Sequence, residues 1–343
     1  MRFILKSSGL KAPPYDEGTV ENHQEEPLTV LQGFLLGILQ GIAEFLPISS
    51  SGHLKVAQHL LGLEDVPLFF DVLLHIATLG AVVIYFRKVI AKLFAILFRW
   101  IFRKSEKQAY NVCNVAPAKD TDARIAALAP TEEIGRNTII MVIITTLVTG
   151  VLGIASKKLL PELPLKAVAA GFVVTALLLI ASKLFSRKHV ALFEPETEIK
   201  DDFYAVQDTA MTPIQAIIIG VAQGIGTLPG ISRSGSTIAG ALLCKVDRRT
   251  AGDYSFLVSI PAILGAFALT LKDVMSDAAA AGLSAMQYFS ETVGIAPAAA
   301  GFVTALVFGY AALAILMKII QKGKIEWFAA YLIPLGILGL IFF

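Results

Sequence analysis

Two polar segments interrupt long apolar stretches of this sequence, and both carry residues that could act on a phosphate. The first is QGIAEFLPISSSGH, residues 40–53. Carboxylates, hydroxyls and imidazoles accept protons and act as nucleophiles in group transfer. A carboxylate within apolar sequence is costly in a membrane and by default indicates function. The residues of this segment that could do chemistry are Glu44, Ser49, Ser50, Ser51 and His53.

The second segment, Pro229 to Thr237, has the composition of an anion-binding loop. Arg233 lies amid apolar sequence, and Gly230 allows the backbone to approach a ligand closely. A guanidinium with hydroxyl and amide donors at the start of a helix suits a phosphate. The hydroxyl donors nearest to this arginine are Ser232, Ser234 and Thr237. Together the two segments supply the parts of a phosphoryl-transfer site.

Each feature alone also has a structural explanation. Serine-rich turns cap helices, and Arg233 could serve only as an ion-pair partner for Glu44. The catalytic interpretation is favoured because acid, hydroxyls, imidazole and arginine all fall in two equivalent segments. Further polar residues in the apolar stretches, Asp71, His75 and Asp253 to Ser255, are interpreted as lining or bracing the site rather than as catalytic.

An internal repeat relates the two segments. Residues 40–53 align without a gap to QGIGTLPGISRSGS, residues 223–236, at an offset of 183, and an LGA triplet recurs at 79–81 and 264–266. Broken apolar segments at corresponding positions of two halves mark a shared binding site in many membrane proteins. We therefore expect the two segments to meet.

The composition indicates a membrane protein. Of 343 residues 55% are hydrophobic and only 16% are charged, whereas a soluble domain carries about 25% charged residues. The net charge of +2 gives no basic excess, so no nucleic-acid partner is predicted, and two isolated cysteines exclude a thiolate metal site. The predicted fold class is all-α, a polytopic integral membrane protein.

About six transmembrane helices and two re-entrant helical hairpins are predicted, in an inverted-topology repeat. Residues 89–102 are apolar on one face but charged on the other, so we expect an interfacial helix there. The hairpins span 28–63 and 212–246, where Pro, Gly and Ser interrupt the apolar pattern. The predicted spans, each about 20 apolar residues, are 67–86, 137–157, 165–185, 252–271, 295–318 and 326–343.

The predicted domain organisation is a single membrane domain over 28–343. It consists of two repeats, about 28–185 and 212–343, preceded by a disordered extension over 1–27. A polar loop near 102–136 is rich in Lys and Arg, which places it in the cytoplasm by the positive-inside rule. In this topology the two hairpins enter the membrane from opposite sides.

These segments resemble the signatures of undecaprenyl-diphosphate phosphatases, the family linked to bacitracin resistance. Its first signature, Glu/Gln-x-x-x-Glu, is met from Gln40 to Glu44, and its second, Pro-Gly-x-Ser-Arg-Ser-x-x-Thr, from Pro229 to Thr237. The similarity extends over about 28–343. Gln40 stands where glutamate is common in the family, which puts the ligands of its metal ion in question.

The resemblance implies an activity and roles for these residues. The expected reaction hydrolyses undecaprenyl diphosphate to the monophosphate and phosphate, with a divalent cation, Mg²⁺ or Ca²⁺. The expected pocket opens to the outer face of the bacterial cytoplasmic membrane. By match, Glu44 is the acidic site residue, Ser50 the nucleophile or a pocket serine, and His53 the general acid/base. Diphosphate binding is expected from Arg233, Ser49, Ser51, Gly230, Ser232, Ser234 and Thr237, and metal binding from Glu44 and Gln40.

An alternative function is a polyprenyl-phosphate flippase or other transporter, because inverted repeats with broken helices are typical of transporters. Phosphate release in detergent, where no gradient exists, would distinguish the two. The predicted partners are the polyprenyl diphosphate lipid and the bilayer, with a homodimer left open. Direct attack by water and a phosphoserine intermediate are both compatible with the sequence.

Overall fold

The computed structural model describes residues 28–63, 66, 68–102, 132–159, 163–190 and 211–343. Over these residues the chain forms twelve helices and no strand, which confirms the all-α class. The predicted extension 1–27 and nearly all of the predicted loop 102–136 lie outside the described residues. The helices are α1 Val30–Phe45, α2 Ser50–Leu60, α3 Leu68–Tyr85, α4 Arg87–Phe102, α5 Glu132–Leu159, α6 Leu165–Val190, α7 Pro213–Ile225, α8 Arg233–Leu243, α9 Arg248–Ala280, α10 Ala285–Thr292, α11 Ile295–Gln321 and α12 Trp327–Phe342.

Four of these helices are long and apolar enough to cross a membrane, namely α5, α6, α9 and α11. They confirm the predicted spans that begin at residues 137, 165, 252 and 295. Helix α9 is longer than predicted, because Asp247 caps its start by accepting from Thr250 N at 2.9 Å. Pro261 lies inside the helix without ending it, and the helix ends before Gly282, which has φ of 72°.

The remaining predicted spans are less regular. Helices α3 and α4 are bent by 80° at Phe86, which separates the predicted 67–86 span from the 89–102 helix. Helix α12 is apolar but has 16 residues, or about 24 Å, against a hydrocarbon core of about 30 Å. The number of six spans and the interfacial position of α4 therefore stay predictions.

The outer surface of the helix bundle is apolar. On α5, Leu147, Val151 and Ile154 are 65%, 70% and 52% exposed, with no polar face beside them. A monomeric soluble protein rarely exposes apolar patches of this extent. Together with the four long apolar helices, this surface shows a multi-pass membrane protein.

Both predicted breaks are present. Residues 46–49 separate α1 from α2, and residues 226–232 separate α7 from α8, so each apolar stretch folds as two short helices. The two hairpins begin alike. Thr29 and Thr212 each form a capping box with the glutamine three residues on, Gln32 and Gln215.

The first hairpin packs closely against the backbone of α11. Helix α1 presents Gly33, Gly37 and Gly41 to α11. A Cβ on Gly37 would lie 2.8 Å from Gly301 Cα, and a Cβ on Gly41 would lie 2.8 Å from the backbone of both Ala305 and Gly309. Small residues four apart are the usual means of bringing two membrane helices together.

Replacement of Gly37 by alanine is expected to destabilise the protein by about 1–3 kcal/mol, because the new methyl group overlaps the α11 backbone. The measurement is thermal unfolding in detergent. Gly150→Ala on α5 is the matched control, since a Cβ there meets nothing within 4 Å and alanine favours helix. Equal melting temperatures for the two variants would contradict this account of how α1 packs on α11.

The second hairpin is seated on α5 in a comparable way. A Cβ on Gly224 would lie 2.6 Å from Leu152 Cβ, and Thr145 Oγ1 donates to Ala216 O at 2.9 Å. Each hairpin thus packs on a long helix of the other half of the chain. This arrangement is the one expected of an inverted repeat in which each half packs its hairpin against the other half. The repeat itself stays a prediction.

Candidate functional site

The first hairpin turns at Pro47, which cannot donate a backbone hydrogen bond and ends α1. Ser49 adopts φ of 71°, unusual for a residue with a side chain, and its Oγ accepts from Gly52 N at 3.3 Å. This contact caps α2, whose first residue is Ser50. The predicted phosphate-binding hydroxyl of Ser49 is therefore buried and serves as a helix cap.

The second hairpin turns in the same manner. Gly230 has φ of 90°, and a side chain there would clash with the Val168 carbonyl. Ser232 Oγ accepts from Gly235 N at 3.0 Å and caps α8, whose first residue is Arg233. Ser49 and Ser232 are equivalent in the sequence repeat, so the two tips use the same cap. Gly230 and Ser232 shape this tip, and both are buried.

The Glu44 carboxylate is the point at which the two tips meet. Its Oε2 accepts from Ser50 Oγ at 2.5 Å and from Gln40 Nε2 at 3.0 Å, both in the first hairpin. Its Oε1 forms an ion pair with Arg233 Nη2 of the second hairpin. The side chains of Glu44 and Arg233 are only 5% and 20% exposed, so this pair is largely withdrawn from solvent. The structure thus brings together Glu44, Ser50, Gln40 and Arg233, as expected for one shared site.

His53 lies on the same helix as Ser50 but engages a different partner. Its Nδ1 donates to the Ser49 carbonyl at 2.8 Å, and its Nε2 lies 2.9 Å from the Tyr331 hydroxyl. The ring stacks on Tyr331 and packs against Phe172, with centroid distances of 5.8 and 5.0 Å. Both nitrogens are therefore engaged away from Glu44, and the acid/base role of His53 stays a prediction.

The imidazole that does face Glu44 belongs to His75 on α3. Its Nε2 lies 3.5 Å from Glu44 Oε2, and its Nδ1 donates to the Asp71 carbonyl at 2.7 Å. From the sequence, His75 was expected only to line or brace the site. The available signal was an ionisable residue within an apolar span, but the pairing with Glu44 depends on how α3 packs on α1.

A narrow cavity adjoins the Glu44–Arg233 pair and is rich in hydroxyls. Of the predicted diphosphate ligands, Ser234 and Thr237 line it, whereas half-buried Ser51 does not. Thr237 Oγ1 donates to Arg233 O at 3.0 Å, which holds the first turn of α8. Thr78 and Ser259 also line the cavity and were not predicted. The cavity-lining residues are Glu44, Phe45, Thr78, Val82, Arg233, Ser234, Thr237, Ser255, Phe256, Ser259 and Ile263.

A divalent cation would find few protein ligands here. Within the described ranges there is no group of three or more His, Cys, Asp or Glu side chains placed to hold a metal ion. Gln40 Oε1, however, is buried without a hydrogen-bond partner beside the Glu44 carboxylate. Mg²⁺ is commonly held by one or two carboxylates together with substrate phosphates and water. The site fits a cation whose remaining ligands come from a bound diphosphate.

The chain resembles known proteins over nearly its whole length. The family model described as "Bacitracin resistance protein BacA" matches residues 33–338. A protein named undecaprenyl-diphosphatase from Treponema denticola is 41% identical over 310 residues, which cover 90% of this chain and 96% of that protein. The protein of the same name from Desulfosudis oleivorans is 37% identical, over 89% of this chain and 96% of that protein. The one from Desulforapulum autotrophicum is 35% identical, over 92% of this chain and 98% of that protein.

Proposed function

This chain belongs to the bacitracin resistance protein BacA family, and on that premise we propose that it hydrolyses undecaprenyl diphosphate at the Glu44–Arg233 pair. The products are undecaprenyl phosphate and inorganic phosphate, so the enzyme returns a lipid carrier to cell-wall synthesis and confers bacitracin resistance. The relatives reported above bear the name of a diphosphatase, and none bears that of a transporter. The flippase alternative therefore has no support from them.

One observation carries the proposal. A serine hydroxyl and an arginine, from two hairpins far apart in sequence, both bind a single buried carboxylate. Phosphoryl transfer requires a nucleophile in contact with a base, beside a positively charged side chain that binds the phosphate. A purely structural ion pair would not need the serine.

The second hairpin is suited to hold the diphosphate. Arg233 is the first residue of α8, and the amino-terminal end of a helix favours an anion. Ser234 and Thr237 line the same cavity. When the diphosphate binds, its charge competes with Glu44 for Arg233. This exchange frees Glu44 Oε1 and moves Arg233 onto the group that will develop negative charge.

The first hairpin is suited to attack. We assign Ser50 as the nucleophile because its Oγ lies 2.5 Å from Glu44 Oε2. As Ser50 Oγ bonds to the terminal phosphorus, its proton passes to Glu44. The bond from that phosphorus to the bridging oxygen breaks, and undecaprenyl phosphate leaves. Water then hydrolyses the phosphoserine, releasing inorganic phosphate and the free hydroxyl.

A bound Mg²⁺ or Ca²⁺ would neutralise charge on the diphosphate, and Gln40 Oε1 with Glu44 would hold it. The protein's own residues bind the anion, orient the hydroxyl and accept the proton. The direct test of the proposed function is inorganic phosphate released from undecaprenyl or farnesyl diphosphate by purified protein in detergent, with and without chelator. No release of phosphate with the cation present would refute the proposed function. Full release in the presence of chelator would refute only the requirement for a cation.

Substitution of Ser50 by alanine is expected to lower kcat by roughly 10³-fold or more, because the attacking oxygen is removed. Acid quenching of the wild-type protein during turnover should leave phosphate on the Ser50 peptide, detectable by mass spectrometry. The control is Ser182→Ala on α6, whose hydroxyl donates to Leu179 O at 2.8 Å and does not line the cavity, with kcat close to wild type. If Ser50→Ala keeps more than a tenth of the activity, water attacks directly and Ser50 only assists.

We also propose that the protein lies in the bacterial cytoplasmic membrane with this site open to the outer face. The support is the distribution of Lys and Arg, which puts residues 272–294 outside and residues 318–324 inside. Single cysteines at Ser284 and Lys322, in a chain without Cys113 and Cys244, would test this orientation. An impermeant thiol reagent applied to intact cells should label only the first. The homodimer stays a prediction.

A further inference from the structure

We propose that His75 is a positioning residue for this reaction, holding the Glu44 carboxylate so that its Oε2 faces Ser50. This inference rests on the proposed function, since it assigns His75 a part in the same proton transfer. His75 acts through Glu44 and does not itself touch the reacting phosphorus.

The contact geometry supports this assignment. His75 Nε2 lies 3.5 Å from Glu44 Oε2, the oxygen that accepts from Ser50. On the opposite side of the ring, Nδ1 donates to the Asp71 carbonyl one turn earlier in α3, at 2.7 Å. Because Nδ1 carries that proton, the contact of Nε2 with the carboxylate is that of an imidazolium, which has a proton on each ring nitrogen. This backbone contact fixes the plane of the ring, so Nε2 is directed at the carboxylate. Among the residues that the structure describes, Nε2 has no hydrogen-bond partner, and the charged atom that it faces is Glu44 Oε2.

A further link ties this histidine to the helix that carries the nucleophile. Asp71 Oδ1 accepts from Gln58 Nε2 of α2 at 2.9 Å. Helix α2 is therefore joined to the carboxylate twice. Its first residue, Ser50, binds Glu44 directly, and Gln58 two turns later connects through α3 and His75. Such a closed set of contacts fixes the relative position of base and nucleophile.

Burial makes the position of Glu44 sensitive to this contact. Gln40 is fully buried and supports Oε2 from α1, whereas His75 supports it from α3 and is 28% exposed at its side chain. When the diphosphate draws Arg233 away from Oε1, the contacts to Oε2 are those that remain. A carboxylate displaced by about 1 Å from its productive position can lose about 100-fold in rate.

The test compares His75→Leu and His75→Gln in steady-state release of phosphate from farnesyl diphosphate in detergent. His75→Leu fills the space without a donor, and kcat is expected to fall by about 10–100-fold with KM within twofold. His75→Gln places an amide donor near the former Nε2 and should restore kcat to within about fivefold of wild type. His59→Leu is the matched control, because His59 is exposed at the end of α2, where its ring meets that of Phe343, and it does not line the cavity.

Melting temperatures in detergent accompany these measurements, so that loss of folded protein is distinguished from loss of rate. A His75→Leu kcat within twofold of wild type would overturn the inference, as would glutamine and leucine variants that are equally slow. A rise in KM at unchanged kcat would also overturn it, since His75 would then bind substrate. A wild-type protein that releases no phosphate would overturn the proposed function itself, and this inference with it.

Discussion

Glu44→Gln is expected to lower kcat by about 10²–10⁴-fold while the protein stays folded, because an amide cannot take the Ser50 proton. Glutamine has the same shape, and its amide oxygen can still accept from Ser50 or Arg233. The KM should stay unchanged or fall, since the diphosphate no longer competes with a carboxylate for Arg233. The measurement is steady-state phosphate release, with melting temperature recorded beside it.

The control for Glu44 is a second carboxylate in an ion pair, that of Glu326. Glu326 pairs with Lys183 between α6 and the turn before α12, away from the cavity. Glu326→Gln removes a comparable charge, so we expect a lower melting temperature and activity within about threefold of wild type, because surface and partly buried pairs mainly affect stability. Glu44→Gln with near-normal kcat would eliminate the carboxylate as the base.

Arg233→Ala is expected to abolish detectable phosphate release, with a loss of about 10³–10⁵-fold, the range found when an arginine that stabilises phosphoryl transfer is removed. Two effects combine. The diphosphate loses its main cationic contact, and Glu44 is left as a buried charge without its ion-pair partner. Unlike Glu44→Gln, this variant should therefore raise KM as well as lower kcat.

Arg233→Lys separates charge from geometry. Lysine keeps the positive charge but lacks the planar pair of donors, so partial activity is expected. Arg248→Ala at the start of α9 serves as the control, since Arg248 packs against Gly323 and does not line the cavity. Substantial phosphate release by purified Arg233→Ala would mean that the diphosphate binds elsewhere.

The sequence predicted the breaks of the two hairpins and the meeting of their tips. Pro47 and the glycine-rich run near Gly230 predicted the breaks, and the equivalence of the two segments predicted that Glu44 and Arg233 would meet. The Glu44 carboxylate, which contacts Ser50 of α2 and Arg233 of α8, agrees with that expectation.

The parts that were not predicted depend on packing between elements distant in sequence. His53 was expected beside the reacting groups, but its Nε2 lies against Tyr331, 278 residues away. The break between residues 67–86 and 89–102 was predicted, but its angle of 80° was not, because no proline or glycine lies at Phe86. Periodicity shows which residues of a helix share a face, but not which neighbour that face will contact.

The glycine-lined contact between α1 and α11 has a consequence for biosynthesis. The ribosome releases Val30–Phe45 long before Ile295–Gln321, and only the later helix offers the groove that α1 fits. Until α11 is made, the short first hairpin, whose Glu44 is buried only in the folded protein, stays in the translocation machinery or at the bilayer surface. Catalytic competence is thus acquired only near the end of translation, and a chain truncated before α11 would carry the nucleophile without a stable place for it.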